Sequence, residues 1–229
     1  MKNKNWLPNS VTLTNLALGF YAIILIFQEY YVVAAFLIFI GMLLDGIDGR
    51  LARKIAGDNP LGKELDSLAD LISFGVTPAL LMYQLYLIEA GVIGILVAVT
   101  FLLCAAIRLA RYNAIDSEEL SDHFCGLPIT AAGGVLIAFV LAGVDIAGGF
   151  FIPIVLLVAY LMVSTIKYPN FARITPFQIK FIMFLVSLSF LVSLNNLSQM
   201  LLLLLIGYIT LGIALRLYPV PKITRLFYT

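Results

Sequence analysis

The stretch that decides the fold runs from Leu43 to Leu71 and reads LLDGIDGRLARKIAGDNPLGKELDSLADL. Its two halves continue long apolar runs on either side, and yet they carry four aspartates: Asp45, Asp48, Asp66 and Asp70. The middle, GDNP at residues 57–60, contains residue types that end helices and form turns. The stretch therefore predicts a hairpin of two membrane helices with acidic side chains near its tip.

The composition of the whole chain indicates a membrane protein. Of 229 residues, 62% are hydrophobic and 12% are charged, whereas about a quarter of the residues of a soluble domain are charged. We expect an all-α fold, a polytopic bundle of about eight transmembrane helices, because a helix of about 20 apolar residues spans a bilayer. The predicted spans are 11–27, 31–53, 62–88, 92–111, 128–143, 150–166, 177–194 and 200–217.

The basic residues support this count, because short cytoplasmic loops collect lysine and arginine. Eight crossings that start from a cytoplasmic N-terminus place all 14 basic residues on the cytoplasmic side. The opposite loops then hold only Glu29, Glu89 and Asp145. We expect one membrane domain over residues 1–229, both termini in the cytoplasm, a location in the cell membrane and no nucleic-acid partner.

The spacing of the aspartates predicts that they face one another. Residues three or four apart share a helix face, as do Asp45 with Asp48 and Asp66 with Asp70. In an antiparallel hairpin Asp45 lies level with Asp70, and Asp48 lies level with Asp66. The carboxylates should form two level pairs, one turn apart and just inside the cytoplasmic surface.

Four buried carboxylates cannot all stay ionised without a compensating positive charge. Arg50, Arg53 and Lys63 lie nearer the water than the aspartates do. A donor set made only of oxygen suits hard cations such as Mg²⁺, Mn²⁺ or Ca²⁺. We therefore predict a divalent-metal site, with two ions as a possible arrangement because level carboxylate pairs can bridge them.

Small residues leave room above the aspartates. They are Gly46, Gly49 and Ala52 on the first helix and Gly62 on the second. The slot suits a polyanionic ligand that metal holds from below and that Arg53 and Lys63 hold from the rim, because guanidinium binds phosphate bidentately. The alternative is a glycine-rich helix crossing with aspartates at its interface.

The hairpin resembles the CDP-alcohol phosphatidyltransferase family. The signature of that family is D-x-x-D-G-x-x-A-R, eight residues, then G-x-x-x-D-x-x-x-D. The matching positions are Asp45, Asp48, Gly49, Ala52, Arg53, Gly62, Asp66 and Asp70.

The resemblance implies transfer of a phosphatidyl-type group from a CDP-linked lipid to an alcohol, with CMP leaving. By the same resemblance Asp45, Asp48 and Asp66 hold metal, and Asp70 is both a ligand and the base. The glycine, alanine and arginine positions of the signature would contact the nucleotide. A homodimer is a further expectation from the family.

Four further segments resemble the subgroup of this family whose acceptor is serine: PNSVTLTNL, RLARYN, FCGLP and LMVSTIKYP, which begin at residues 8, 108, 124 and 161. Eight spans in place of the more usual six agree with that subgroup, and residues 177–217 would be its two additional helices. The resemblance implies L-serine as the acceptor and either CDP-diacylglycerol or CDP-archaeol as the donor.

Serine carries a carboxylate that a basic or polar residue near the metal slot should bind. The candidates are Arg108, Arg111, Asn113 and Lys167. The alternative for the arginines is that they end a helix with the head groups reaching toward water. Thr12 and Asn15 either face the site or pack between helices.

Two other functions remain open from the residues. Glycerol 3-phosphate or an inositol phosphate could be the acceptor, although a second phosphate calls for a denser basic pocket. A cation transporter would also place carboxylates in membrane spans. Transporter sites, however, lie near the bilayer midplane on broken helices, whereas these aspartates cluster in one hairpin close to one surface.

Overall fold

The helices follow the apolar runs of the sequence. The structure, a computed structural model, describes residues 6–55, 60–114, 123–143, 148–169, 203 and 206–210. Six helices make up most of these residues: α1 Trp6–Phe27, α2 Tyr31–Ile55, α3 Pro60–Ala90, α4 Val92–Ala114, α5 Ile129–Leu141 and α6 Phe151–Val163. A single 3-10 turn, Gly148–Phe150, precedes α6. Residues 206–210 are also helical.

The first six predicted spans correspond to these six helices. Three of them contain segments long and apolar enough to cross a membrane: Asn9–Phe27, Pro60–Ala90 and Val92–Ala114. The other three contribute shorter apolar helices, Tyr31–Gly46, Ile129–Leu141 and Phe151–Val163. The predicted span 177–194 lies outside the described residues, and only residues 203 and 206–210 of the predicted span 200–217 lie within them. The chain is therefore a helical, membrane-associated protein.

The described residues confirm the all-α prediction, to which they add one short pair of strands. Strand β1, His123–Cys125, pairs antiparallel with β2, Lys167–Pro169, and Phe124 lies opposite Tyr168. Gly126 directly follows β1, and its N–H donates to the carbonyl of Ile166 at 2.8 Å. The backbone of Gly126 has a positive φ of 82°, which glycine adopts without strain.

Helix α3 is not a regular α-helix throughout. It is α-helical over Pro60–Asp70 and Thr77–Met82 and π-helical over Leu71–Val76 and Tyr83–Leu87. Pro78 favours the first wide turn, because a proline ring clashes with the carbonyl four residues back and lacks an N–H. The hydroxyl of Thr77 donates to the carbonyl of Ile72 at 2.8 Å, five residues back. Such π-helical turns are often found at functional sites, and this one begins directly after Asp70.

Helix α1 packs closely against α3 through two hydroxyl groups. Ser73 donates to the carbonyl of Asn15 at 3.0 Å. The single proton of the Thr77 hydroxyl is shared between the carbonyl of Ile72 and, at 3.2 Å, that of Gly19. The Cα of Ser73 lies 2.9 Å from the position that a Cβ on Gly19 would occupy. The two helices therefore run parallel, in a register fixed one turn below Asp70.

Asn15 is fully buried between helices α1, α2 and α3. Its Oδ1 lies 2.6 Å from the position of a Cβ on Gly41, and the side chain of Phe74 also approaches Gly41. Of the two roles predicted for Asn15, the structure shows packing at this crossing. Thr12, one turn earlier on α1, is also buried.

Candidate metal and active site

Three of the four aspartates converge. Asp45 on α2 and Asp66 and Asp70 on α3 each offer a carboxylate oxygen, and these oxygens lie within 4.8 Å of one another. Asp45 and Asp66 are half-buried, and Asp70 is 8% exposed. The arrangement follows from two local rules, the four-residue spacing of Asp66 and Asp70 and the antiparallel pairing of α2 with α3.

The geometry of the three carboxylates fits a divalent cation. Hard cations bind oxygen at about 2.0 to 2.6 Å, so two ligands on opposite sides of one ion lie about 4 to 5 Å apart. Buried carboxylates at such separations repel one another strongly unless a positive charge lies among them. The fourth aspartate, Asp48, is within helix α2, and its side chain lies outside what the structure describes.

The predicted rim of the slot is described only in part. Gly49, Ala52 and Arg53 belong to α2, but their side chains lie outside the described residues. On α3, Gly62 is half-buried and Lys63 is exposed. Gly46 is exposed, and a Cβ added there would meet no described atom within 4 Å.

Helix α4 brings a cation to the aspartates. Arg108 is 7% exposed and lies near enough to Asp70 to interact with it electrostatically. Its guanidinium also stands over the ring of Tyr112, with 5.2 Å between the Cζ atom and the ring centroid, a cation–π geometry. The single positive charge of Arg108 does not neutralise three carboxylates. The remaining negative charge still calls for a divalent cation.

Arg111 lies one turn from Arg108 and binds backbone. Its guanidinium donates to the carbonyls of Val163 at 3.0 Å and Ser164 at 3.2 Å, at the end of α6. These are carbonyls that a helix leaves without intrahelical partners. The side chain of Arg111 thus joins α4 to α6.

Asn113 joins α4 to α3. Its Nδ2 donates to the hydroxyl of Ser67 at 2.9 Å, and its backbone carbonyl accepts from Nζ of Lys63 at 3.4 Å. Ser67 lies next to Asp66 in sequence. Lys167, the remaining acceptor candidate, lies in β2, and its side chain is outside the described residues.

Sequence reasoning missed the tyrosines around Arg108. Tyr208, in the helical residues 206–210, lies in electrostatic range of Arg108 and stacks at a tilt on Tyr168, with 5.5 Å between ring centroids. Tyr112 and Tyr168 lie within RLARYN and LMVSTIKYP, two of the segments that resemble the serine-using subgroup, which is a reason to consider them. Tyr208 lies in none of these segments, and no spacing along the sequence connects it with Arg108.

The fold and the site together define a helical membrane protein with a cluster of carboxylates suited to a divalent metal. The chain belongs to the CDP-alcohol phosphatidyltransferase family, whose model matches residues 5–211. The signature in the Asp45–Asp70 hairpin is thus part of a match that extends over nearly the whole chain.

Several curated proteins are similar to the chain. A CDP-diacylglycerol–serine O-phosphatidyltransferase of Bacillus subtilis is 38% identical over 174 residues, which cover 74% of this chain and 93% of the relative. A protein of the same name from Helicobacter pylori is 36% identical over 188 residues, covering 80% of this chain and 79% of the relative. An archaetidylserine synthase of Methanothermobacter thermautotrophicus is 35% identical over 168 residues, covering 72% and 70%.

Proposed function

We propose that this protein transfers the phosphatidyl-type group of a CDP-activated lipid to the hydroxyl of L-serine and releases CMP. The observation that carries the proposal is the convergence of Asp45, Asp66 and Asp70 beside the buried cation Arg108. The names of the relatives from Bacillus subtilis and Helicobacter pylori support serine as the acceptor. The donor is CDP-diacylglycerol or CDP-archaeol.

Asp70 is the proposed general base, the role that the family resemblance gives to the last aspartate of the signature; it is also the most buried of the three carboxylates. It accepts the proton of the serine hydroxyl as that oxygen attacks the phosphorus on the lipid side of the pyrophosphate. The new P–O bond forms while the bond to the CMP phosphate breaks, and CMP takes the electron pair. Arg53 stabilises the negative charge on the phosphate oxygens during the transfer.

Asp45, Asp48, Asp66 and Asp70 are the proposed ligands of Mg²⁺ or Mn²⁺, as one ion or two, and Ca²⁺ also suits such oxygens. A metal held by these aspartates would supply positive charge to the pyrophosphate and to the leaving CMP. The four aspartates lie about two to three helical turns from the ends of the two helices at the tip of the hairpin, and metal held there would position the pyrophosphate.

The nucleotide end of the donor belongs to the tip of the hairpin. We assign CDP-lipid binding to Gly49, Ala52, Arg53, Gly62 and Lys63. The small residues admit the ribose and phosphates close to the backbone, and the basic residues bind phosphate oxygen. Lys63 suits this role because it is exposed and only one turn from Asp66.

For the whole chain we propose a multi-pass topology of eight spans in one domain of residues 1–229, with residues 177–217 as two additional helices. Both termini and the active site face the cytoplasm, because that orientation puts every basic residue on the cytoplasmic side. The working unit is a homodimer. Labelling of single introduced cysteines from either side of the membrane tests the topology.

A test of the activity uses the purified full-length protein, CDP-diacylglycerol or CDP-archaeol, Mg²⁺ or Mn²⁺, and a panel of alcohols. CMP release that depends on L-serine, with the serine lipid as product, is the expected result. Release only with glycerol 3-phosphate or an inositol phosphate would change the acceptor. Cation flux in liposomes without any CMP would favour the transporter instead.

A further inference from the structure

Asn15 on α1 is a buried amide that packing alone does not explain. The residue is fully buried, and neither its Oδ1 nor its Nδ2 has a hydrogen-bond partner among the residues that the structure describes. An amide side chain offers two N–H donors and one carbonyl acceptor, and leaving them unpaired in the interior costs free energy. A leucine of similar length would fill the same space without that cost. The amide therefore indicates a role beyond filling space.

The contacts of Asn15 connect it with both helices of the aspartate hairpin. On α2, its Oδ1 lies 2.6 Å from the position of a Cβ on Gly41. On α3, its backbone carbonyl accepts a hydrogen bond from the Ser73 hydroxyl at 3.0 Å. Gly41 precedes Asp45 by four residues, and Ser73 follows Asp70 by three. Each contact therefore lies on the helix face that carries an aspartate, one turn away from it.

The side chain of Asn15 leans toward the aspartates. The Cα–Cβ bond of a helical residue tilts toward the N-terminus of its helix. Helices α1 and α3 run parallel, so the N-terminal direction along α1 is also the direction from Ser73 to Asp70. Because Oδ1 packs against α2, the Nδ2 group is the donor that remains for an anionic group on that side.

We infer that Asn15 is a positioning residue of the metal site. Its side chain holds α2 and α3 at the spacing at which Asp45 and Asp70 converge on a cation, and its Nδ2 donates a hydrogen bond to a carboxylate oxygen of one of these aspartates. The inference rests on the metal site of the proposed function. Hydrogen bonds of this kind orient the ligands of a metal, and their loss commonly weakens metal binding by about 10- to 100-fold.

A neutral donor suits this position. An amide N–H can orient a carboxylate without adding a positive charge beside it. A lysine or arginine in the same place would offset the negative charge that attracts a divalent cation. Asparagine therefore combines orientation of the ligands with an undiminished charge at the site.

The test measures cation binding by the purified full-length protein in detergent, without substrates. The melting temperature at increasing Mn²⁺ gives an apparent Kd. Asn15→Leu should raise this Kd about tenfold or more. Its melting temperature in chelator should stay the same or rise, because an unpaired buried amide has been removed.

Thr14→Val is the matched control. Thr14 is the neighbouring residue on α1, but it is exposed, and its hydroxyl donates to the Ser10 carbonyl of the same helix. The substitution removes a polar group from α1 without touching α2 or α3. The variant should bind Mn²⁺ as the wild-type protein does.

The two readouts separate positioning from packing. If Asn15 only packed between helices, Asn15→Leu would lower the melting temperature in chelator and leave the Kd for Mn²⁺ unchanged. That result would overturn the inference, as would an unchanged Kd at any stability.

A second substitution tests the same contact from α2. In Gly41→Ala the new Cβ would lie 2.6 Å from the Asn15 Oδ1, so the amide must move although Asn15 and all the aspartates are retained. We expect the Kd for Mn²⁺ to rise in this variant as well. Should Asn15→Leu not fold, Gly41→Ala decides, and an unchanged Kd there contradicts the inference.

The outcomes also separate this inference from the proposed function. If Mn²⁺ does not shift the melting temperature of the wild-type protein, the metal site and the inference both fail. If the wild-type protein binds Mn²⁺ and Asn15→Leu binds it equally well, only the inference fails.

Discussion

The guanidinium of Arg111 donates a hydrogen bond to the backbone carbonyl of Ser164 at 3.2 Å, 53 residues away in sequence. A second bond, to the carbonyl of Val163, doubles the connection between α4 and the end of α6. Arg108, one turn earlier on α4, lies beside Asp70. The two arginines of RLARYN therefore have different contacts: Arg111 binds the end of α6, and Arg108 lies near Asp70.

The role of Arg111 can be tested with Arg111→Lys, which keeps the charge and removes the planar fork. A lysine cannot reproduce both hydrogen bonds, so we expect the free energy of unfolding to fall by about 2 kcal/mol. Thermal unfolding in detergent measures this change. If instead stability is unchanged and only the KM for serine rises, Arg111 binds the acceptor and not the end of α6.

The role of Asp70 can be tested with Asp70→Asn. A general base contributes about 10² to 10⁴ in rate, so turnover should fall by at least that factor while CDP-lipid binding persists. The control is Glu64→Gln, which removes an exposed carboxylate from the same helix and should leave turnover intact. Full activity of Asp70→Asn would remove the proposed mechanism.

Divalent metal should stabilise the protein as well as activate it. We expect a chelator to abolish turnover and to lower the melting temperature, because Asp45, Asp66 and Asp70 then repel one another. A cation at about 100 times its Kd should restore about 2.7 kcal/mol of stability. Asp66→Asn should reduce that shift. A melting temperature that changes neither with the chelator nor with the added cation would argue against a metal site here.

The close approach of α1 to α3 predicts the effect of Gly19→Ala. The new methyl group would meet the backbone of Ser73, whose Cα lies 2.9 Å from its position, so the helices must separate. We expect a loss of about 1 to 3 kcal/mol in the free energy of unfolding. Gly46→Ala is the control for stability, because an added Cβ there would meet no described atom within 4 Å and alanine favours the helix. Equal effects of the two substitutions would contradict the tight contact.

The convergence of Asp45, Asp66 and Asp70 could be predicted from the sequence, because it depends only on helical periodicity and on the pairing of adjacent helices. The same holds for the limits of the first six helices, which follow the length of apolar runs. These features are local, so the spacing of residues along the chain contains them.

The contacts of the arginines and tyrosines could not be predicted in this way. Arg108 and Arg111 have the same charge and lie one turn apart, and only the positions of α3 and α6 make one of them a neighbour of Asp70. The pairing of β1 with β2 likewise depends on packing between distant parts of the chain. Tyr208 illustrates the limit most clearly, because 100 residues separate it from Arg108.

The pairing of β1 with β2 joins two segments that are distant in sequence into one structural unit. Phe124 lies opposite Tyr168, and the Gly126 N–H donates to the Ile166 carbonyl. A substitution in one segment therefore changes the packing surface of the other. A chimera that takes residues 123–128 from a relative should therefore work only when residues 161–169 are taken from the same relative. A graft of one segment without the other would leave this backbone pairing incomplete.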